Sequence, residues 1–411
     1  MATDRPVHLI GRASGGAAPP TPLPAPPGAL QGSPGPGVRA SRSPREPAGD
    51  AAFDPTTRCL RRAIASHFDP DGGTPFWLDR ARELGMGDVR REVRDVGDLG
   101  RLGALDRQAL LERPLADFVP RRLRDRLPEL VLSETGGTTG RPVRAVFTRD
   151  ELEAAFGAPF LAVSAARGFP RGGSWLFVGP SGPHVIGRAA RLLARLHGAA
   201  EPFSVDLDPR FARAQAPGSL GERLYREHVV AQARDILARE PVDVLFTTPP
   251  LAVALSRALS PTLRGRLSGI HLGGMTVAPA AYRAIRETFP RAVILPAYGN
   301  SLFGILVEPA APDLAPAGTD GGAGVDLDYF PLPGRLVVTV VDDAGREVAP
   351  GRRGRVCLTR LDESFLIVGH VERDVATRIA AGPVALALGL APLGIRNPAP
   401  AAPEQAGRGL Y

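Results

Sequence analysis

The sequence predicts an α/β fold built on a mainly parallel sheet, and two features carry that prediction. Beyond residue 131, short apolar runs of strand length recur: LVL, SWLFVG, VDVLFTTP, SGIHLGG, RAVILPAYG, GRLVVTVVD and GRVCLTRL. Amphipathic segments at 185–198, 222–240, 250–259 and 278–289 separate several of these runs. Strands that alternate with helices give layered α/β architecture. A third feature marks an exception. The runs at 335–341 and 354–360 are joined by DDAGREVAPGRRG, a turn-rich connector that predicts a small antiparallel or barrel-like addition.

Taken in order, residues 13–50 are almost entirely Pro, Gly, Ala, Ser and a few charges. Such a stretch has little to bury against its ordering entropy, so residues 1–52 are expected to be a disordered tail. Order is expected from Phe53. Between 54 and 130 the pattern is helical. TRCLRRAIASHF, PFWLDRARELG and DRQALLERPLADFV carry apolar residues at helical spacing, with Asp and Pro near their starts. The α/β alternation then runs to about 395. Residues 396–411, RNPAPAAPEQAGRGLY, return to tail composition. No internal repeat is visible.

Composition narrows the chemistry. The chain has 411 residues, 44% of them hydrophobic, enough for one large core or two ordinary ones. None of its 50 basic residues is lysine; all are arginine. Schiff-base catalysis and a Walker-type phosphate loop, which both need a lysine amine, are therefore excluded. The net charge is +7, but Arg is interleaved with Asp and Glu, as in DVRREVRDVGDLGRLGALDR, and aromatics are only 6%. That pattern reads as a solvated, ion-paired surface, so no nucleic-acid partner is expected. Cys59 and Cys357 lie far apart, without a CxxC or a His cluster, which argues against a disulfide framework or a zinc site. The N-terminus lacks a signal-type apolar core. The most apolar stretch, Val384 to Ile395, is too short and too broken to span a bilayer. No membrane association and a cytoplasmic location are expected.

One stretch points at chemistry. Residues 133–142 read SETGGTTGRP and lie between the apolar segments ELVL and RAVFT. Glycines let backbone N–H groups converge on an anion, threonine hydroxyls add donors, and Arg141 adds fixed positive charge. The same residues would also make a mobile hairpin loop, and composition alone leaves both readings open.

The order of segments around it resembles the adenylate-forming superfamily of acyl-CoA ligases and adenylation domains, and within it the phenylacetate–CoA ligase-like branch. TGGTTGRPV resembles that family's phosphate loop, with Arg141 at the usual lysine. GPHVIG (182–187) sits where the family places a loop beside the carboxylate substrate. HLGGMTV (271–277) resembles the Gly-Gly turn bordering the adenine, and AYGNSLFG (297–304) the Tyr-Gly motif that stacks it. GRRGRVCLTRL and HVERDVATR (351–378) resemble the strand pair leading to the ribose-binding Asp. The resemblance covers roughly residues 54–378.

It implies an adenylate-forming N-terminal core at 53–395, made of layered α/β subdomains with the small β addition. It implies ATP as cofactor, with Mg²⁺ accompanying the nucleotide and no protein metal site. Thr135, Gly137, Thr138, Thr139 and Gly140 would hold the phosphates. Gly273, Gly274, Tyr298 and Gly299 would form the adenine slot, and Asp374 would take the ribose hydroxyls. His184, Ser301 and Arg141 would act near the reacting groups, Ser301 on the α-phosphate. The implied reaction joins a small carboxylic acid, aryl or otherwise of specialised metabolism, to AMP. A partner protein, CoA or a small nucleophile then receives the acyl group.

Two departures qualify the resemblance. Leu302 occupies the family's Mg²⁺-binding Glu position, and the chain ends soon after Asp374, so the family's small C-terminal lid domain and its catalytic lysine are expected to be absent. Acyl-protein synthetases and adenylating enzymes of phenazine-type pathways are similar in that respect. The alternative is a degenerate, non-catalytic protein that binds nucleotide or acyl-adenylate.

Overall fold

Parallel strands buried on both faces need near-continuous apolar runs, and the chain supplies them. The computed structural model describes residues 53–135, 141–314 and 324–401, all within one unit, Gly49–Tyr411. The expected tail at 1–52, the loop residues Gly137, Thr138, Thr139 and Gly140, and residues 402–411 lie outside the described part.

A hairpin comes first, β1 (Leu130–Glu134) against β2 (Arg144–Thr148). The main sheet follows: β3 (Ser174–Gly179), β4 (Phe203–Asp206), β5 (Val242–Thr247), β6 (Gly269–Leu272), β7 (Val293–Asn300) and β8 (Gly304–Val307). Its order is β4-β3-β5-β6-β7-β8, parallel throughout except for the β7–β8 hairpin. Helices Val185–Leu196, Leu220–Arg239, Pro249–Ala258 and Pro279–Thr288 fall on the four predicted amphipathic segments. The predicted addition is a five-stranded antiparallel sheet. It is formed by β9 (Asp328–Tyr329), β10 (Leu336–Val341), β11 (Arg353–Leu361), β12 (Leu366–Ala380) and β13 (Leu393–Pro400), in the order β10-β11-β12-β13-β9.

Two elements differ from the sequence reading. Residues 396–400 continue β13 rather than beginning a tail, because that strand pairs with β12 as far as Asp374 opposite Pro400. The segment 149–164, to which the sequence reading gave no element, is helical, as Arg149–Leu152, a π turn at Glu153–Gly157 and Ala158–Ser164. Pro159 is tolerated there because it stands in the first turn of the last piece.

The core runs through the main sheet. Trp77 and Trp175 are both buried in it. The glycine at 299 is dictated by the β7–β8 hairpin: a Cβ there would meet the Gly304 carbonyl oxygen at 1.9 Å. No described helix is long and apolar enough to cross a membrane.

Candidate functional site

In open α/β sheets, ligands gather beyond the carboxyl ends of the parallel strands. Here those ends carry the glycine turn after β6 and the Tyr-Gly segment of β7, which border a cleft of about 1270 Å³. Thr135, Gly273, Gly274, Tyr298, Gly299 and Ser301 all line it, and Asp374 does so from β12. Seven residues picked from distant motifs thus share one cavity.

Each is held by its local structure. Gly274 turns the chain out of β6 with φ +80°, a conformation costly for any residue with a Cβ. Thr135 closes the base of the hairpin: its N–H donates to the Val143 carbonyl at 2.9 Å, and its hydroxyl accepts from the Val143 N–H at 2.9 Å. The Ser133 hydroxyl donates to the Ser301 carbonyl, tying that base to the turn after β7.

The Asp374 carboxylate lines the cleft from β12. Its Oδ2 accepts from the Tyr298 hydroxyl at 3.0 Å and from the Thr276 hydroxyl at 3.3 Å. Burial, and then the neighbouring Glu372 carboxylate, push the Asp374 carboxyl above its ordinary value. Burial and the Asp374 charge hold the Tyr298 phenol well above its own, so it remains a donor. Asn300 donates through its side-chain amide to Glu372 while its Oδ1 accepts from the Leu302 N–H at 2.8 Å. The sequence reading missed Thr276, Asn300 and Glu372. The last had a signal, since Glu372 stands two residues before Asp374 in a strand and so shares its face.

Two of the other candidates sit differently. His184 caps the start of the Val185–Leu196 helix, buried, with Nδ1 3.3 Å from the Glu134 carbonyl oxygen. Burial lowers its pKa, which favours the neutral ring at pH 7. Val185 and Ile186, the next two residues, line the cleft, while His184 does not. Arg141 is exposed and likewise outside the lining. His271 and His370 line the cleft but each lies close to a main-chain carbonyl, His271 Nδ1 to Leu295 at 3.0 Å and His370 Nδ1 to Leu105 at 3.3 Å.

Leu302 is buried, and among the described residues no three His, Cys, Asp or Glu side chains could hold an ion together.

Leu302, which lines the cleft, is held from behind by buried charge. Asp362 accepts from Arg335 at 2.8 and 2.6 Å and from Arg360 at 2.6 Å. Arg360, fully buried, also donates to the carbonyls of Leu302 at 2.8 Å and Val146 at 2.6 Å. One guanidinium thus joins β11, the turn after β7 and strand β2.

The sequence matches no protein-family model and no curated protein. Solved structures do resemble it. 2-Hydroxyisobutyryl-CoA ligase in complex with 2-HIB-AMP and CoA superposes with a TM-score of 0.59 at 18% identity, over 86% of this chain and 68% of the ligase. The same ligase in its postadenylation state with R3-HIB-AMP gives 0.59 at 17%, over 83% and 66%. Its open conformation gives 0.57 at 18%, over 82% and 72%. The chain therefore spans about two thirds of the length of these ligases, and over that span it has the fold of 2-hydroxyisobutyryl-CoA ligase.

Proposed function

We propose that the cleft binds ATP and a carboxylic acid and joins them as an acyl-adenylate. The observation that carries this reading is the meeting of the glycine turn, Tyr298, Thr135 and Asp374 in one cavity. The fold adds support, because the ligase that shares it was crystallised with an acyl-AMP.

In this reading Asp374 receives the ribose hydroxyls. Both of its internal bonds fall on Oδ2, leaving Oδ1 as an acceptor. The backbone at Gly273 and Gly274 and the Tyr298 ring border the base. The loop 136–140, carried on Thr135, takes the β- and γ-phosphates, with Ser301 at the α-phosphate. A carboxylate oxygen of the acid attacks the α-phosphorus, the bond to the bridging oxygen breaks, and pyrophosphate leaves. Catalysis then rests on in-line positioning and on neutralising phosphate charge. The acid is an aryl or other specialised-metabolism acid, as in the phenylacetate–CoA ligase-like branch, and the acyl group passes to CoA, a carrier protein or a small nucleophile.

Carboxylate-dependent ATP–pyrophosphate exchange tests this directly, with a panel of aryl and aliphatic acids. Exchange with at least one acid is the expected result. A second reading, nucleotide binding without turnover, is favoured by Leu302 at the position where the family carries a carboxylate. ATP binding without exchange on any acid would select it.

A further inference from the structure

His271 lines the cleft from β6 although only 2% of it is exposed. Its Nδ1 lies 3.0 Å from the Leu295 carbonyl oxygen on β7. A carbonyl oxygen only accepts, so Nδ1 carries the proton. Burial lowers the pKa of the ring to about 4, which keeps it neutral at pH 7 and leaves Nε2 as a bare acceptor. Among the described residues none donates to Nε2, and the atom is not sealed in the core. The Thr247 hydroxyl, on the neighbouring strand, donates instead to the Val178 carbonyl at 2.8 Å.

The acceptor is held in place. Phe246 is the register partner of His271 on β5, and the two rings meet edge-on at 4.4 Å. The Phe160 ring lies edge-on at 5.2 Å. Gly273 leaves room beside Nε2: a Cβ there would stand 3.9 Å from it. Phe246 also lines the cleft, whose apolar lining includes Phe156, Val185, Ile186 and Leu193. A fixed acceptor in a cavity with such a lining is costly to strip of water unless the ligand brings it a donor.

Building on the carboxylate-activating reading, we infer that the substrate acid carries a hydroxyl or N–H group that donates to His271 Nε2. A plain hydrocarbon acid would fill the apolar lining and leave the acceptor unpaired. An acid whose polar group is an ether or a ketone would meet Nε2 lone pair to lone pair. A hydroxy acid satisfies both surfaces, with its carboxylate free to attack ATP.

Calorimetric binding of matched probes to the full chain tests this, each with AMP present. The probes are ortho-, meta- and para-hydroxybenzoate against the corresponding methylbenzoates, and ω-hydroxyhexanoate against heptanoate. In at least one pair the hydroxy acid is expected to bind at least ~10-fold more tightly than its methyl partner. His271→Asn can still donate to the Leu295 carbonyl but lacks an acceptor at the Nε2 position, so it should bring that pair within ~3-fold. His271→Gln places an amide oxygen there and should keep the preference, which a purely structural histidine would not require. Gly273→Ala covers Nε2 without touching the ring and should also remove the preference, which decides the matter where His271→Asn does not fold. Methyl acids that bind as tightly as hydroxy acids in every pair would overturn the inference and leave the carboxylate-activating reading standing. Failure of every acid to bind would sink both. The adenine amino group is the other source of such a donor. If the parent prefers adenosine to purine riboside and His271→Asn abolishes that preference, Nε2 serves the base and the inference fails.

Discussion

Replacing Asp374 with alanine should produce two separable losses. The first is in nucleotide affinity. A carboxylate that bonds a ribose diol supplies charge-assisted hydrogen bonds of about 1.5–3 kcal/mol, or roughly 10- to 150-fold in Kd. The second is in stability. The Tyr298 hydroxyl, buried and 3.0 Å from Oδ2, would lose its acceptor. An orphaned buried hydroxyl costs about 1–3 kcal/mol. Asp374→Asn keeps an acceptor oxygen for Tyr298 and removes the charge, so it should weaken binding while leaving the unfolding midpoint near the parent value. Adenosine is the useful probe, read by calorimetry, because it carries no titrating phosphate. The carboxyl is raised above 3.8 by burial and Glu372, so it takes up a proton at higher pH than an ordinary Asp. Binding uses the ionised form, and adenosine affinity should therefore fall as pH drops through that raised value. Unchanged adenosine affinity in Asp374→Ala would refute the assignment of this carboxylate to the ribose.

Two other expectations follow from the packing. Gly299→Ala would push a methyl to 1.9 Å from the Gly304 carbonyl oxygen, opening the β7–β8 hairpin. A loss of at least ~3 kcal/mol in urea unfolding is expected, with weaker nucleotide binding. His67 and His271 are buried, with pKa values lowered to about 3 and about 4 from an ordinary 6.5. The unfolded chain gains these protons below pH 6.5 while the folded chain does not, so stability should fall from pH 6.5 towards 4. Each histidine contributes about 1.4 kcal/mol per pH unit. Urea midpoints that stay flat between pH 7 and 5 would contradict this.

How much of this could be read from the chain depends on which interactions are local. The parallel strands were legible because burial on both faces leaves a continuous apolar run, and β3 and β5 have such runs. The helix at 149–164 was not, because Gly157 and Pro159 look like breakers until the π turn accommodates them. In the site, the glycine turn, Tyr298 and Asp374 announce themselves by short motifs. The bond from Asn300 to Glu372 links residues 72 apart, and nothing local marks it.

A chain without lysine also tests what arginine does that lysine cannot. Arg360 makes three bonds to three segments, to Asp362, Leu302 and Val146, and its guanidinium lies 3.8 Å from the centre of the Phe147 ring. That geometry uses a planar fork, whereas an ammonium is a compact point charge on a flexible stem. Arg360→Lys keeps the charge opposite Asp362 but cannot reach both carbonyls in the same plane. One or two buried carbonyls would then lose their donor, at about 1–3 kcal/mol each. Because those carbonyls belong to the turn after β7 and to strand β2, the slack falls on Ser301 and on the base of the hairpin at Thr135. Urea unfolding should show a loss of about 2–5 kcal/mol, and exchange activity should fall further than stability alone explains. Arg360→Lys with the parent's midpoint would mean that charge, not the fork, holds the Leu302 turn and strand β2 together. The buried Arg335–Asp362–Arg360 group would then act as a plain ion pair rather than as the joint between the hairpin and the turn after β7.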